Sequence, residues 1–151
     1  MDLGNSIIEN IKLIIGTSEL RGGGYFEFAP GSYTEKHWQK DWVYLEEEVF
    51  LLLEPVSMKI IPCFGGDSPN EISRSNWLLI IERFKTLKII LKNASSIADI
   101  RGNIRFSESF ETVFFEHFDE CRNAVIKLIT DLTKWLDAQL KTHEKISVLG
   151  I

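Results

Sequence analysis

Trp38-Gln39-Lys40-Asp41-Trp42-Val43-Tyr44-Leu45-Glu46-Glu47-Glu48-Val49-Phe50-Leu51-Leu52-Leu53-Glu54-Pro55 is the stretch on which the fold turns. Trp38, Trp42, Leu45, Val49 and Leu52 recur at alternating spacings of four and three, the stripe of one continuous amphipathic helix. Thr34 is a plausible cap before Glu35, and Pro55 forces the helix to end nearby. Residues 49–53 are apolar all round, which predicts a helix enclosed by others at the centre of the molecule. The competing reading is a buried strand through 49–53 that continues at 58–61, since short apolar runs do not separate helix from strand by periodicity. The upstream stripe favours the helix.

Working outward, Ile7, Ile8, Ile11, Ile14 and Ile15 fall at helical spacing and predict a first helix over residues 5–15, closed by Gly16. Tyr25-Phe26-Glu27-Phe28, between a triple glycine and Pro30-Gly31, reads as a short strand. After a loop over 62–74, Ser75 caps a third helix whose buried stripe is Trp77, Ile80, Phe84, Leu87 and Leu91. A connector follows, with a possible strand at 104–106. A long fourth helix then runs from Ser107 or Ser109 to Thr142, its stripe Phe114, Phe118, Cys121, Val125, Leu128, Leu132 and Trp135. Acids gather in its early turns and lysines later, the order the helix dipole favours. Residues 147–149 dock as a last short element or fray. The expected fold is mainly α: one helical domain over residues 1–151, a bundle of about four main helices. At most a small β element is expected, around 24–28 and 58–62 or 104–106.

With 151 residues, 44% of them apolar, the chain is long enough for a core that needs no covalent staples. Two distant cysteines, Cys63 and Cys121, are too few for a disulfide scaffold and predict buried, reduced thiols. The first residues lack the basic region and cleavage site of a secretory leader, and no apolar run approaches the roughly 20 residues of a membrane span. A cytoplasmic protein without a membrane role is therefore expected. Residues 1–75 hold 12 acidic and 6 basic side chains, a balance of −6, whereas the remainder holds 10 and 11. That asymmetry argues against nucleic acid as the partner of the first half and permits a basic protein.

Catalytic and cofactor motifs are missing. Gly22-Gly23-Gly24 is followed by no Lys-Ser/Thr pair and reads as a flexible turn. Glu116, His117, Glu120 and Cys121 form the nearest approach to a metal site, but one helix offers too few convergent ligands. Neither metal nor organic cofactor is expected. Lys85, Lys88 and Lys92 share a helix face and read as solvated lysines rather than a nucleic-acid footprint. His37 with Asp41, four residues apart, is the pair an enzyme reading would test first.

The acidic group Asp41, Glu46, Glu47, Glu48 and Glu54 is the most suggestive feature. A small acidic chain rich in Trp and Phe, without a catalytic motif, resembles the immunity proteins that bacteria make against their own toxins. The resemblance lies in size, charge and overall pattern along the whole chain. It implies a cytoplasmic, non-enzymatic inhibitor that binds a basic toxin domain, often a nuclease, in stoichiometric fashion. Carboxylates Asp41, Glu46, Glu47, Glu48, Glu54 and Asp67 would then meet the partner, with Tyr25, Tyr33 and Tyr44 as aromatic anchors. The alternatives are an adaptor or subunit of a larger assembly, and a small hydrolase or transferase with a His and carboxylate assembled in space.

Overall fold

Val43–Glu46 alternates rather than spirals. Val43 and Leu45 enter the main apolar core, while Tyr44 between them joins a second cluster with Ile14 and Tyr25. Three consecutive residues are buried because both faces of this strand are covered, and a strand covered on both faces reads as a continuous apolar run. Its β-branched and aromatic residues suit that pleated setting. The computed structural model describes residues 3–64 and 70–151.

The elements follow in the order α1 (Leu3–Asn10), β1 (Ile14–Ile15), β2 (Tyr25–Pro30), β3 (Val43–Glu46), α2 (Glu47–Met58), β4 (Asn70–Ser73), α3 (Arg74–Asn93), α4 (Glu108–Glu116), α5 (Phe118–Leu140) and β5 (Lys145–Gly150). A single 3₁₀ turn, Ile97–Asp99, lies between α3 and α4. The strands form one antiparallel sheet in the order β1-β3-β2-β5-β4. At 52% helix and 15% strand among the described residues, the chain is an α+β protein, which corrects the expectation of a mainly α bundle.

Each departure has a local cause. The expected helix over 35–54 is a loop and a strand as far as Glu46, and becomes helical only at Glu47. Trp38 and Trp42 share the helical spacing by coincidence. They pack with Tyr44 and its cluster on the outer side of the sheet, whereas Val49 and Leu52 belong to the main core. Helix α2 then runs three residues past Pro55 and buries Val49, Phe50, Leu52, Leu53 and Val56. Residues 58–62 and 104–106 form no strand. The first helix stops at Asn10, and Ile14–Ile15 pairs with β3 instead of completing it. The long fourth helix divides at His117, whose φ of −128° and ψ of 49° turn the chain between α4 and α5. Hydrogen bonds from His117 N to Val113 O and from Cys121 N to His117 O continue across the joint, so no residue type announces it.

The segment 145–150, where the sequence gives only a weak apolar pattern, is an inner strand. β5 lies between β2 and β4 and pairs with both. Helix α3 is anchored to it by the Trp77 indole, which donates to Ile146 O at 3.0 Å. The Arg74 guanidinium ties the start of α3 to the end of α5, donating to Leu140 O and His143 O. On the inner face Phe26 stacks on Phe50 at 3.8 Å, Phe28 lies against Trp77, and Phe64 closes over both. The helices pack on this face. A loop covers the other. Among the described residues, no helix is long and apolar enough to cross a membrane.

Candidate functional site

The loop between β2 and β3, residues 31–42, crosses the outer face of the sheet as a strap, and side chains of the sheet pin it along its length. At its start, Ser147 Oγ donates to Gly31 O at 2.7 Å and Gly31 N donates to Lys145 O. Tyr33 N donates to Glu71 Oε2 at 2.8 Å. At its end, Tyr44 Oη donates to Gln39 O at 3.0 Å, and Gly16 N donates to Trp42 O. Gly16 has a φ of +76°, and a Cβ there would sit 2.9 Å from Lys40 O, so this close approach needs glycine.

The centre is held by one carboxylate. Glu27 is 2% exposed on β2, between Phe26 and Phe28, and points away from the helices. Its Oε1 lies 2.9 Å from His37 Nδ1, and its Oε2 accepts the Trp38 backbone N–H at 3.2 Å. A carboxylate this deeply buried needs such partners, because desolvation without them is costly. The Trp38 ring is stacked on that of Tyr44 at 6.1 Å and edge-on to that of Tyr25 at 6.4 Å. Both Glu35 and Trp38 have left-handed backbone, with φ of 65° and 59°. Despite its contacts Trp38 keeps 43% of its surface exposed. Burial, with the Glu27 charge beside it, pushes the Tyr44 hydroxyl up to about 12.

Tyr25, Tyr44 and Glu46 are thus brought together on the outer face, in cross-strand register. Tyr25 and Tyr44 are buried supports rather than exposed anchors, and the Tyr25 hydroxyl accepts the Arg21 backbone N–H. Tyr33 is half-buried on the strap, its ring 6.1 Å from that of His37. Glu46 lines a cavity of about 240 Å³ with Lys12, Glu19, Arg21 and Tyr25. Desolvation and the neighbouring Glu48 carboxylate raise its pKa above the ordinary carboxylate value, and Lys12 offsets part of this. Glu47 and Glu48 are exposed in the first turn of α2, where the helix dipole favours them. Asp41 is exposed at the end of the strap. Asp41, Glu47 and Glu48 have no cationic partner among the described residues. Glu54 is buried and bound to Arg105 at 2.6 Å, away from this surface. Asp67 lies outside the described residues.

His37 does not pair with Asp41; its partner is Glu27. Among the described residues no group of three or more His, Cys, Asp and Glu is placed to hold a metal ion. At the α4–α5 joint His117 Nδ1 is 3.8 Å from Glu120, while Cys121 is wholly buried. Burial, with Glu120 nearby, raises the Cys121 thiol to about 12, too high for a ready thiolate. Cys63 is exposed rather than buried. Glu27 and the strap carried no signal in the sequence. An acid alternating with phenylalanines in a strand ordinarily faces water, and nothing near it in sequence indicated a loop folded over it. No family model, no curated protein and no solved structure matches the chain.

Proposed function

We propose that this protein acts by stoichiometric binding to another protein, and that the strap is its recognition surface. Trp38 carries the reading. A bulky residue at positive φ costs about 1–3 kcal/mol and persists only where its surroundings over-determine it. Here Glu27 fixes the Trp38 amide, and two tyrosines fix the ring, yet the residue stays 43% exposed. A pre-positioned indole loses little freedom on binding, and such anchors usually dominate interface energy. The uncompensated carboxylates Asp41, Glu47 and Glu48, in the half of the chain with a balance of −6, suit a basic partner. Together with the resemblance to immunity proteins, this supports a cytoplasmic inhibitor of a basic toxin domain, such as a nuclease.

The test is capture from lysate of the source cell with the native chain, Trp38→Ala and Glu47→Lys/Glu48→Lys. A basic partner should be recovered in equimolar amount by the native chain. Trp38→Ala should lose it, and the double charge reversal should weaken it steeply and in a salt-dependent way. Equal recovery by all three chains would remove the strap from consideration. An adaptor role would show instead as a partner belonging to a host assembly.

A second reading, a small hydrolase or transferase, draws on the Glu27–His37 pair, in which a buried carboxylate orients an imidazole as in general-base catalysis. Loss of a measured turnover in His37→Ala, with the fold retained, would favour it.

A further inference from the structure

Between α3 and α5 lies a groove of about 430 Å³ whose wall carries Lys85 and Lys88 from α3, Lys134 from α5 and Lys141 at the C-terminal end of α5. Four ammonium groups and one carboxylate, Asp137, line it in a chain whose net charge is −5. The positive charge is poorly compensated. Lys134 and Lys141 have no anionic partner among the described residues, and Lys85 has only an exposed contact of 3.4 Å with Glu82. Such an exposed pair contributes little. Lys88 reaches across the groove and donates to Thr130 Oγ1 at 2.8 Å.

The second observation is Thr133. Thr130 turns its own hydroxyl back to Ile126 O, the usual arrangement for threonine in a helix. Thr133, one turn along the same wall, does not. Its Oγ1 is buried and has no hydrogen-bond partner among the described residues. Thr133 lines the groove, so a rotation about its Cα–Cβ bond brings this hydroxyl, whose hydrogen bonding is unspent on the described residues, to a ligand held there. Ile129, Ala138 and the lysine stems add an apolar floor.

We propose that this groove binds a small phosphorylated molecule that also carries hydroxyl groups, of the class of nucleotides or sugar phosphates. Lysine meets phosphate as a point charge, and the volume lies within the usual range for small-ligand sites. At 1.5 Å per residue, Lys134 and Lys141 stand roughly 10 Å apart along α5, a span for one or two phosphoryl groups rather than a polymer. Asp137, between them, opposes a bare polyanion and accepts a hydrogen bond from a ligand hydroxyl. Thr133 and Lys88 complete the phosphate contacts. The site is separate from the strap and stands or falls without it.

Calorimetric titration of the full chain with inorganic pyrophosphate, ADP and ribose 5-phosphate, and with a short single-stranded RNA, tests the proposal. At least one of the two hydroxyl-bearing probes should bind with a Kd below about 1 mM at moderate salt. Lys134→Glu/Lys141→Glu should lose about tenfold or more in that affinity. Thr133→Val should lose about threefold, because it removes one hydroxyl and keeps the shape of the side chain. Asp137→Asn should strengthen pyrophosphate relative to the hydroxyl-bearing probes. Circular dichroism confirms that each variant is folded, and the milder Lys134→Gln serves if the double reversal is not. The proposal is overturned if neither hydroxyl-bearing probe binds with a Kd below about 1 mM, if the variants leave the affinities unchanged, or if RNA binds more tightly than every small probe.

Discussion

The two faces of the sheet are built from different chemistry. The inner face meets helices through Phe26, Phe28, Val43, Leu45 and Val148, and its one conspicuous polar contact is the Trp77 indole donating to Ile146 O. The outer face meets a loop through Tyr25, Glu27, Tyr44 and Ser147, each of which engages the strap. Apolar packing is non-directional and tolerates exchange of side chains of similar size, whereas a buried carboxylate with two fixed partners admits few substitutes. The inner face therefore carries the stability of the fold, and the outer face carries the conformation of one loop. Mutations should separate the two.

The largest effect is expected from the inner face. Trp77→Ala removes a fully buried indole that touches β5, Phe28 and Phe64, and should cost about 3–5 kcal/mol in denaturant unfolding. Glu27→Ala should cost about 2–3 kcal/mol, since it leaves the Trp38 N–H and the His37 ring without their acceptor. Its signature is local. Hydrogen exchange should speed up in residues 31–42 before it does so in α3 or α5. Uniform acceleration across both faces would contradict the division.

Tyr44→Phe tests a single strap contact and should cost about 1 kcal/mol. It also has an alkaline signature. The folded chain holds the Tyr44 proton up to about 12, while the unfolded chain releases it near 10.0. The unfolded state therefore binds fewer protons in that window, and stability falls as pH rises from about 10 to about 12. Tyr44→Phe should lack this part of the fall, as read from denaturation midpoints across the range.

Glu46 gives the smallest effect, of opposite sign. Its pKa is raised in the folded state, chiefly by desolvation, so its ionisation at neutral pH opposes folding. The cost fades as pH falls through the carboxylate range. Glu46→Gln should be slightly more stable than the native chain at pH 7 and equal to it in acid. A loss of stability at pH 7 would show that Lys12 outweighs burial at this position.

The same division explains what could be read in the sequence. Helix α3 announced itself, because Trp77, Ile80, Phe84, Leu87 and Leu91 recur at helical spacing and are all buried, whichever neighbour each one meets. The strand at 25–28 was legible from its bounding glycines and proline. β3 was not, since a loop covers its outer face and turns an alternating pattern into the run Trp42-Val43-Tyr44-Leu45. β5 was not, since a strand between two others is defined by partners distant in sequence. In the candidate site, Asp41, Glu47 and Glu48 were visible as acids. Glu27 was hidden because its role depends on His37 and Trp38, which arrive only when the strap folds back. Trp38 itself was legible as an aromatic but was assigned to a helix stripe.

The most direct test of the strap as a recognition surface is to compare the partner affinity and thermal stability of Trp38→Ala with those of the native chain. Truncation removes the exposed indole while the Glu27 contact to the residue 38 amide remains. We expect affinity to fall by about 30-fold or more, the scale of an interface anchor, with Tm lowered by no more than about 4 °C, the scale of about 1 kcal/mol in a domain of 151 residues. Unchanged affinity in a folded Trp38→Ala chain would contradict the account.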